Sequence, residues 1–239
     1  MSPVRRPFLF VYPVFSDCKR GEQEMKKNLT ELVMILDKSG SMSGLESDTI
    51  GGYRSMLEKQ KETEGEVLVS TILFNERTSV IHNRESLNKV EPMTRREYIP
   101  GGCTALLDAV GSSIDHIVGV HRNLPDDQRP AKTIFVIITD GLENASREYS
   151  SAKVKKMIET ETKKYGWEFI FLGANIDAVE TAGRFGIDAD HSVNYHSDPV
   201  GTALNYEVLG DALARMRTTG RSLEKNWKKK IEEDYENRG

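Results

Sequence analysis

A chain of 239 residues is long enough for one large α/β domain with extensions and leaves little room for two full domains. Its net charge of −4 at pH 7 argues against a general nucleic-acid binder, which would carry a basic face. No apolar run approaches the length needed to span a membrane, and the two cysteines, Cys18 and Cys103, do not form a disulfide framework and fit a reducing compartment.

Residues 1–24 precede the periodic part of the sequence. The apolar stretch Pro7–Phe15 follows two arginines, as in a secretion signal, yet two prolines interrupt it and no small-residue cleavage site follows. A disordered extension is a second interpretation. We prefer a third, a translated leader, because Met25–Asn28 resembles a bacterial start and Lys19–Glu22 can be encoded by a purine run like a ribosome-binding site.

From Leu29 onward, apolar strands alternate with amphipathic helices. Short continuous apolar runs predict strands buried on both faces, and apolar residues at helical spacing predict the helices between them. The predicted strands are Leu32–Leu36, Val67–Phe74, Thr78–His82, Thr133–Thr139, Trp167–Leu172 and a weak one at Ser192-Val193. The predicted helices contain Ile50–Leu57, Leu106–Ile117, Val154–Ile158, a short segment from about Asp177, and Leu204–Met216.

This order predicts an α/β fold. We expect a Rossmann-like, doubly wound, mostly parallel sheet flanked by helices, with one antiparallel edge hairpin that turns at Asn75-Glu76. The domain is expected over residues 25–218, and the highly charged residues 219–239 are expected to form a solvated helix or a frayed tail. Because open sheets of this kind bind ligands at the carboxyl ends of their strands, the loops after Leu36 and Thr139 are the expected place for a site.

Oxygen-bearing side chains are concentrated in these loops and in the loop that opens the helix at Leu106. They are Asp37, Ser39, Ser41, Thr104 and Asp140. Two carboxylates and three hydroxyls are hard donors, which suit Mg²⁺ or Mn²⁺, leave Ca²⁺ open, and do not suit zinc. Because the hydroxyls are neutral, the ion keeps a positive charge when an aspartate binds through water. A carboxylate from outside can then complete the coordination shell.

Each of these residues also has a structural explanation. Ser41 or Ser43 can cap the first helix, Thr104 can cap the second, and Asp140-Gly141 is an ordinary turn dipeptide. The joint pattern favours the metal site, because three loops bring all five donors to one edge of the sheet. Glu143 and Asn144 are expected at the rim of that site.

The pattern Asp-x-Ser-x-Ser, a distant threonine and a later aspartate resembles the metal-ion-dependent adhesion site of von Willebrand factor type A domains, including integrin inserted domains. The five residues match the positions of that family one for one, and the phrase Gly-Gly-x-Thr-Ala-Leu at Gly101–Leu106 adds to the resemblance, which covers about residues 29–218. It implies that the serines and the threonine bind metal directly or nearly so, and that the aspartates bind directly or through water. The chain is similar to bacterial proteins that consist of this domain alone.

The resemblance implies a divalent-metal-dependent module that captures an Asp or Glu carboxylate of a protein partner. The net charge and the apolar runs of the sequence favour no nucleic acid and no membrane as partners. We expect a cytoplasmic scaffold or assembly factor; a secreted or surface adhesin with the same site is the alternative. An enzyme is not expected. Ser39 stands where a haloacid dehalogenase-like phosphatase requires a second acid, Ser41 lacks the Gly-x-Ser-x-Gly context of a serine hydrolase, and neither a phosphate loop nor an HExxH motif is present.

Overall fold

The computed structural model describes residues 26–238, and the expectations for residues 1–24 lie outside that range. The strands are β1 Lys26–Asp37, β2 Glu66–Phe74, β3 Thr78–Ser86, β4 Pro130–Thr139, β5 Glu168–Ala174 and β6 Ser192–Tyr195. The helices are α1 Glu46–Lys61, α2 Leu106–Asn123, α3 Ser151–Tyr165, α4 Ala178–Arg184, α5 Pro199–Thr219 and α6 Lys229–Arg238.

These strands form one six-stranded sheet in the order β3-β2-β1-β4-β5-β6. Every neighbouring pair is parallel except β2 and β3, which run antiparallel at the edge. The predicted α/β class with one antiparallel edge hairpin is therefore confirmed. The two central strands, β1 and β4, end side by side, and this places the loops that follow them next to each other.

Both faces of the sheet are covered, which explains the continuous apolar run in β1. Leu32, Met34 and Leu36 pack into one core, while the alternating Val33 and Ile35 pack into the other. Residues of α1, α5 and α6 complete the first core, and residues of α2, α3 and α4 complete the second. Within residues 26–238, no helix has the length and apolar character required to cross a membrane.

The charged segment after α5 packs on the domain, which differs from the solvated or frayed tail that its composition indicates. Leu223 and Ile231 are buried, and Trp227 packs against the same core. The Lys228 ammonium donates a 2.8 Å hydrogen bond to the Ser192 carbonyl of β6. Three apolar residues spaced four apart carry this packing, and the many charges around them conceal the pattern in the sequence.

Candidate metal centre

The five side chains predicted as metal ligands come from three loops at one edge of the sheet. Asp37 is the last residue of β1, and Asp140 follows β4 directly. Ser39 and Ser41 belong to the turn after β1, and Thr104 stands two residues before α2. Since β1 and β4 are parallel neighbours, their carboxyl ends bring these loops together.

Three hydroxyl oxygens converge on one small region beside Gly141. A Cβ atom placed on Gly141 would lie 3.1 Å from Thr104 Oγ1, 3.4 Å from Ser41 Oγ and 3.8 Å from Ser39 Oγ. The two serine oxygens are 3.1 Å apart. A side chain at position 141 would occupy this region, so the glycine leaves it open to whatever the three hydroxyls hold.

Asp37 is a buried carboxylate whose two oxygens are both held. Its Oδ1 accepts the Ser39 backbone N–H at 2.6 Å, and its Oδ2 accepts the Thr139 hydroxyl at 2.6 Å. Burial raises the pKa of Asp37 above its usual value, although these hydrogen bonds act in the opposite direction, and the neighbouring Asp140 raises it further. The buried carboxylate of Asp37 is therefore held in one orientation by its hydrogen bonds.

Asp140 is the second buried carboxylate of the site. Its Oδ1 accepts the Ser41 hydroxyl at 2.5 Å, and its Oδ2 accepts the Ser197 hydroxyl at 3.3 Å. Burial raises the pKa of Asp140 as well. Two desolvated carboxylates beside three hydroxyl oxygens make a region where a bound cation would be strongly stabilised.

The serines and the threonine of these loops do not cap α1 or α2. The residue that precedes α1 is Leu45 and the residue that precedes α2 is Ala105, and neither makes a side-chain capping hydrogen bond. The capping explanation of Ser41, Ser43 and Thr104 is therefore wrong. Their hydroxyls need another physical role, and at Ser41 and Thr104 the geometry offers metal coordination.

Backbone hydrogen bonds clamp the loop after β1 to the loop before α2. Gly40 N–H donates to the Gly102 carbonyl at 3.1 Å, and Gly101 N–H donates to the Lys38 carbonyl at 2.9 Å. Gly102 has a φ of 80°, in the left-handed region that favours glycine. These reciprocal bonds fix the distance between the two loops that carry the serines and Thr104.

Two residues that follow Asp140 tie its loop to the start of α2. Asn144 Oδ1 accepts the Thr104 backbone N–H at 2.9 Å, and Glu143 Oε2 accepts the Leu107 N–H at 2.9 Å. Both were expected at the rim of the site. The structure gives them a positioning role, because they hold Thr104 and Asp140 in register through the backbone.

Sequence reasoning missed three residues that position the site. Thr139 and Ser197 contact the aspartates, and the Tyr98 hydroxyl donates a 2.6 Å hydrogen bond to the Asp37 carbonyl. Thr139 ends β4 and Ser197 follows β6, so a search of every polar residue at the carboxyl edge of the sheet would have found both. Tyr98 lies in an irregular loop, where no pattern marks it.

The donor set fits a hard divalent cation. Within residues 26–238, no group of three or more His, Cys, Asp and Glu side chains is arranged to hold a metal. The candidate centre instead combines two carboxylates with three hydroxyls, and all five donors are oxygens. Oxygen donors of this kind suit Mg²⁺, Mn²⁺ or Ca²⁺.

Comparison with known proteins shows which known structures share the fold of this chain. The sequence matches no protein-family model and no curated protein. The von Willebrand factor type A structure from Catenulispora acidiphila has a TM-score of 0.51 at 12% identity, covering 77% of this chain and 42% of that chain. The vWF domain of the type V pili tip protein Mfa5 from Porphyromonas gingivalis has a TM-score of 0.54 at 10% identity, covering 82% and 97%. This chain has the fold of von Willebrand factor type A domains.

A third structure with this type A fold contains zinc. Proximal thread matrix protein 1 from the mussel byssus, with a zinc-occupied MIDAS motif, has a TM-score of 0.53 at 13% identity, covering 80% of this chain and 47% of that chain. Our chain thus spans less than half of the mussel and Catenulispora chains. At these identities the likeness concerns the fold alone, so the roles of individual residues rest on the geometry described above.

Proposed function

We propose that this chain is a divalent-metal-dependent protein-binding module. The ion, Mg²⁺ or Mn²⁺ with Ca²⁺ as a third option, would be held by Asp37, Ser39, Ser41, Thr104 and Asp140. One observation carries the proposal: three hydroxyl oxygens converge beside Gly141, next to two buried carboxylates whose pKa values are raised. A cation relieves the cost of burying two negative charges, and the hydroxyls provide neutral oxygens around it.

The charge balance of the site supports a partner that supplies a carboxylate. Three of the five donors are neutral, and Mg²⁺ keeps water at positions that the protein leaves free. A carboxylate of a partner protein can replace one such water and add negative charge to the shell. Without the ion, the same carboxylate would approach Asp37 and Asp140 and be repelled. We therefore propose an Asp or Glu side chain of a protein as the ligand, with no nucleic acid and no membrane.

Apolar side chains around the centre favour a protein over a small anion. Leu142 is 62% exposed and follows Asp140 by two residues; Ile99 is 64% exposed and follows Tyr98, which binds Asp37. Val200, 60% exposed, lies in the first turn of α5, three residues after Ser197. Each of these residues is close in sequence to a residue of the centre, and large exposed apolar residues near a polar site are typical of protein interfaces.

We place the module in the cytoplasm as a scaffold or assembly factor and assign it no catalytic step. The alternative is a secreted or surface adhesin that uses the same site. Fractionation of the source cell, followed by detection of the endogenous protein, separates the two locations. Neither outcome changes the metal chemistry, which has its own test.

The test of the metal site is calorimetric titration of the full chain with Mg²⁺ and Mn²⁺, using a matched pair of serines. Ser41→Ala removes a hydroxyl of the site, while Ser43→Ala makes the same change at an exposed serine two residues away. We expect the first variant to lose most of the binding and the second to match the unmodified protein. Equal titration of both variants, or no binding to the unmodified protein at millimolar ion, would contradict the proposal.

Capture of partners from the source cell tests the second step. Proteins retained in Mg²⁺ should be released by EDTA. They should also fail to bind the Asp140→Ala variant and should still bind Ser43→Ala. A partner that binds equally well in EDTA, or whose acidic residues can all be replaced without effect, would show that this edge of the sheet is not the binding surface.

A further inference from the structure

A small cavity lies beneath the candidate metal centre, between the sheet and the helices α1 and α5. The ends of β1, β4 and β6 form one side of it, and residues of α1 and α5 form the other. The cavity leaves about 10 Å³ for the centre of a water-sized molecule. Asp37 lines it from the strand side, so the cavity and the candidate centre share one residue.

Polar atoms without a partner gather at the wall of this cavity. Within the described residues that line the cavity, Asn205 Oδ1 and Nδ2, Thr202 Oγ1, the Tyr206 hydroxyl and Thr49 Oγ1 have no hydrogen-bond partner in the protein. Asn205, Thr202 and Tyr206 lie on α5, Thr49 lies on α1, and none of them is more than 3% exposed. Buried polar side chains are nearly always hydrogen-bonded. Five such atoms around one cavity therefore indicate a bound molecule that supplies their partners.

The chemistry of these atoms selects the ligand. Asn205 offers a donor and an acceptor at once, and the three hydroxyls can act as either. A water molecule also donates and accepts, and the size of the cavity matches one water. A monovalent cation cannot accept the hydrogen bonds that the Asn205 amide hydrogens offer, whereas a water molecule can.

We propose that this cavity binds one structural water molecule, bonded to Asn205 and to at least one of the Thr202 and Tyr206 hydroxyls. The water would stand between α5 and the end of β1, directly under the strand residue that begins the candidate metal site. The proposal does not depend on the proposed function, because it rests on the polar atoms of α5 and not on a bound metal.

The decisive experiment is a crystal structure of the full chain at a resolution that shows ordered waters. We expect one density peak within hydrogen-bonding distance of the Asn205 amide and of one of the two hydroxyls. A cavity without density would overturn the proposal. A second crystal soaked in rubidium chloride separates water from a cation, since an anomalous peak in the cavity would mean that a monovalent ion binds there and that the proposal is wrong.

Oxygen-17 relaxation dispersion tests the same water in solution, where one long-lived buried molecule contributes a measurable amplitude. Asn205→Leu removes the amide and should lower the amplitude by one water, while Asn88→Leu makes the same change at an exposed asparagine and should leave it unchanged. Equal amplitudes in the two variants would count against the site. If Asn205→Leu fails to fold, Thr202→Val and Tyr206→Phe replace it in the crystal. Loss of the density peak in the cavity, or its displacement towards Asn205, supports the site. A density peak that keeps its position in both variants contradicts it.

Discussion

The Thr139 hydroxyl donates a 2.6 Å hydrogen bond to Asp37 Oδ2 across the two central strands of the sheet. Leu36 pairs with Ile138 in the ladder between β1 and β4, so the next residue of each strand comes side by side at the edge. The bond holds one oxygen of a buried carboxylate and acts to lower a pKa that burial raises. A strand residue outside the metal-binding pattern thus controls the charge and direction of a candidate ligand.

Replacing Thr139 should weaken metal binding without removing any candidate ligand. Thr139→Val keeps the shape of the side chain and removes its hydroxyl. A hydrogen bond to a charged group contributes about 1.5–3 kcal/mol, so we expect Mg²⁺ affinity at neutral pH to fall about 10- to 100-fold. Thr139→Ser keeps the hydroxyl and should retain most of the affinity. Calorimetric titration measures both, and a valine variant that binds Mg²⁺ as tightly as the serine variant would show that this bond is unimportant.

The stabilisation that Mg²⁺ adds should increase with pH. Because the pKa values of Asp37 and Asp140 are raised from 3.8, the folded metal-free protein binds these protons more tightly than the unfolded chain. Their contribution to stability is therefore fully present below the unfolded pKa and is lost as pH rises through the folded values. Mg²⁺ binds the deprotonated carboxylates, so the stabilisation that it adds should grow over the same range.

Melting temperatures with and without Mg²⁺, from about pH 4 to about pH 7, check this expectation. The difference between the two curves should widen with increasing pH in the unmodified protein and should stay small throughout in Asp140→Asn. A gain from Mg²⁺ that is the same at both ends of the range would mean that the ion does not bind these carboxylates.

The sequence alone was enough to predict the sheet and the position of the candidate site. Continuous apolar runs indicate the strand centres. The rule that ligands bind at the carboxyl edge of such a sheet indicates Asp37 and Asp140 as site residues. The strand ends were less accurate: β1 begins at Lys26, six residues before the predicted Leu32. Backbone hydrogen bonds extend a strand through polar residues such as Glu31, which pairs with Leu68 and Thr133, although side-chain patterns carry no signal there.

Contacts between distant segments could not be predicted in the same way. The bond between Ser197 and Asp140 joins residues 57 positions apart, and it depends on how the loop after β6 lies against the loop after β4. The packing of Ile231 likewise depends on the surface that β6 and α5 offer to α6. Local composition describes α6 as charged and solvated, and only the assembled fold shows which of its sides is covered.

Substitution of Ile231 tests whether the segment after α5 stabilises the domain. Ile231 is 1% exposed, and replacing a buried isoleucine with alanine typically costs about 2–5 kcal/mol. Glu233→Ala, at an exposed position of the same helix, should change the free energy of unfolding by less than about 0.5 kcal/mol. Urea unfolding of the two variants gives the comparison. Equal free energies of unfolding would mean that the segment after α5 is solvated, as its composition indicates, and does not stabilise the domain.

The apolar residues around the candidate centre should separate partner binding from metal binding. Leu142→Gln keeps the length of the side chain and adds no charge, so the Mg²⁺ titration should not change. Burying a leucine at an interface contributes about 1.5–3 kcal/mol, so affinity for a partner captured in Mg²⁺ should fall at least about tenfold. Tyr165→Gln is the control, because Tyr165 is also exposed but precedes β5 at the opposite edge of the sheet.

If Leu142→Gln binds the partner as tightly as Tyr165→Gln, the apolar surroundings are not part of the interface, and the ion alone would have to account for recognition. If Leu142→Gln also loses Mg²⁺, the substitution has disturbed the loop of Asp140, and Val200→Gln, on α5, then provides the same test from a different element.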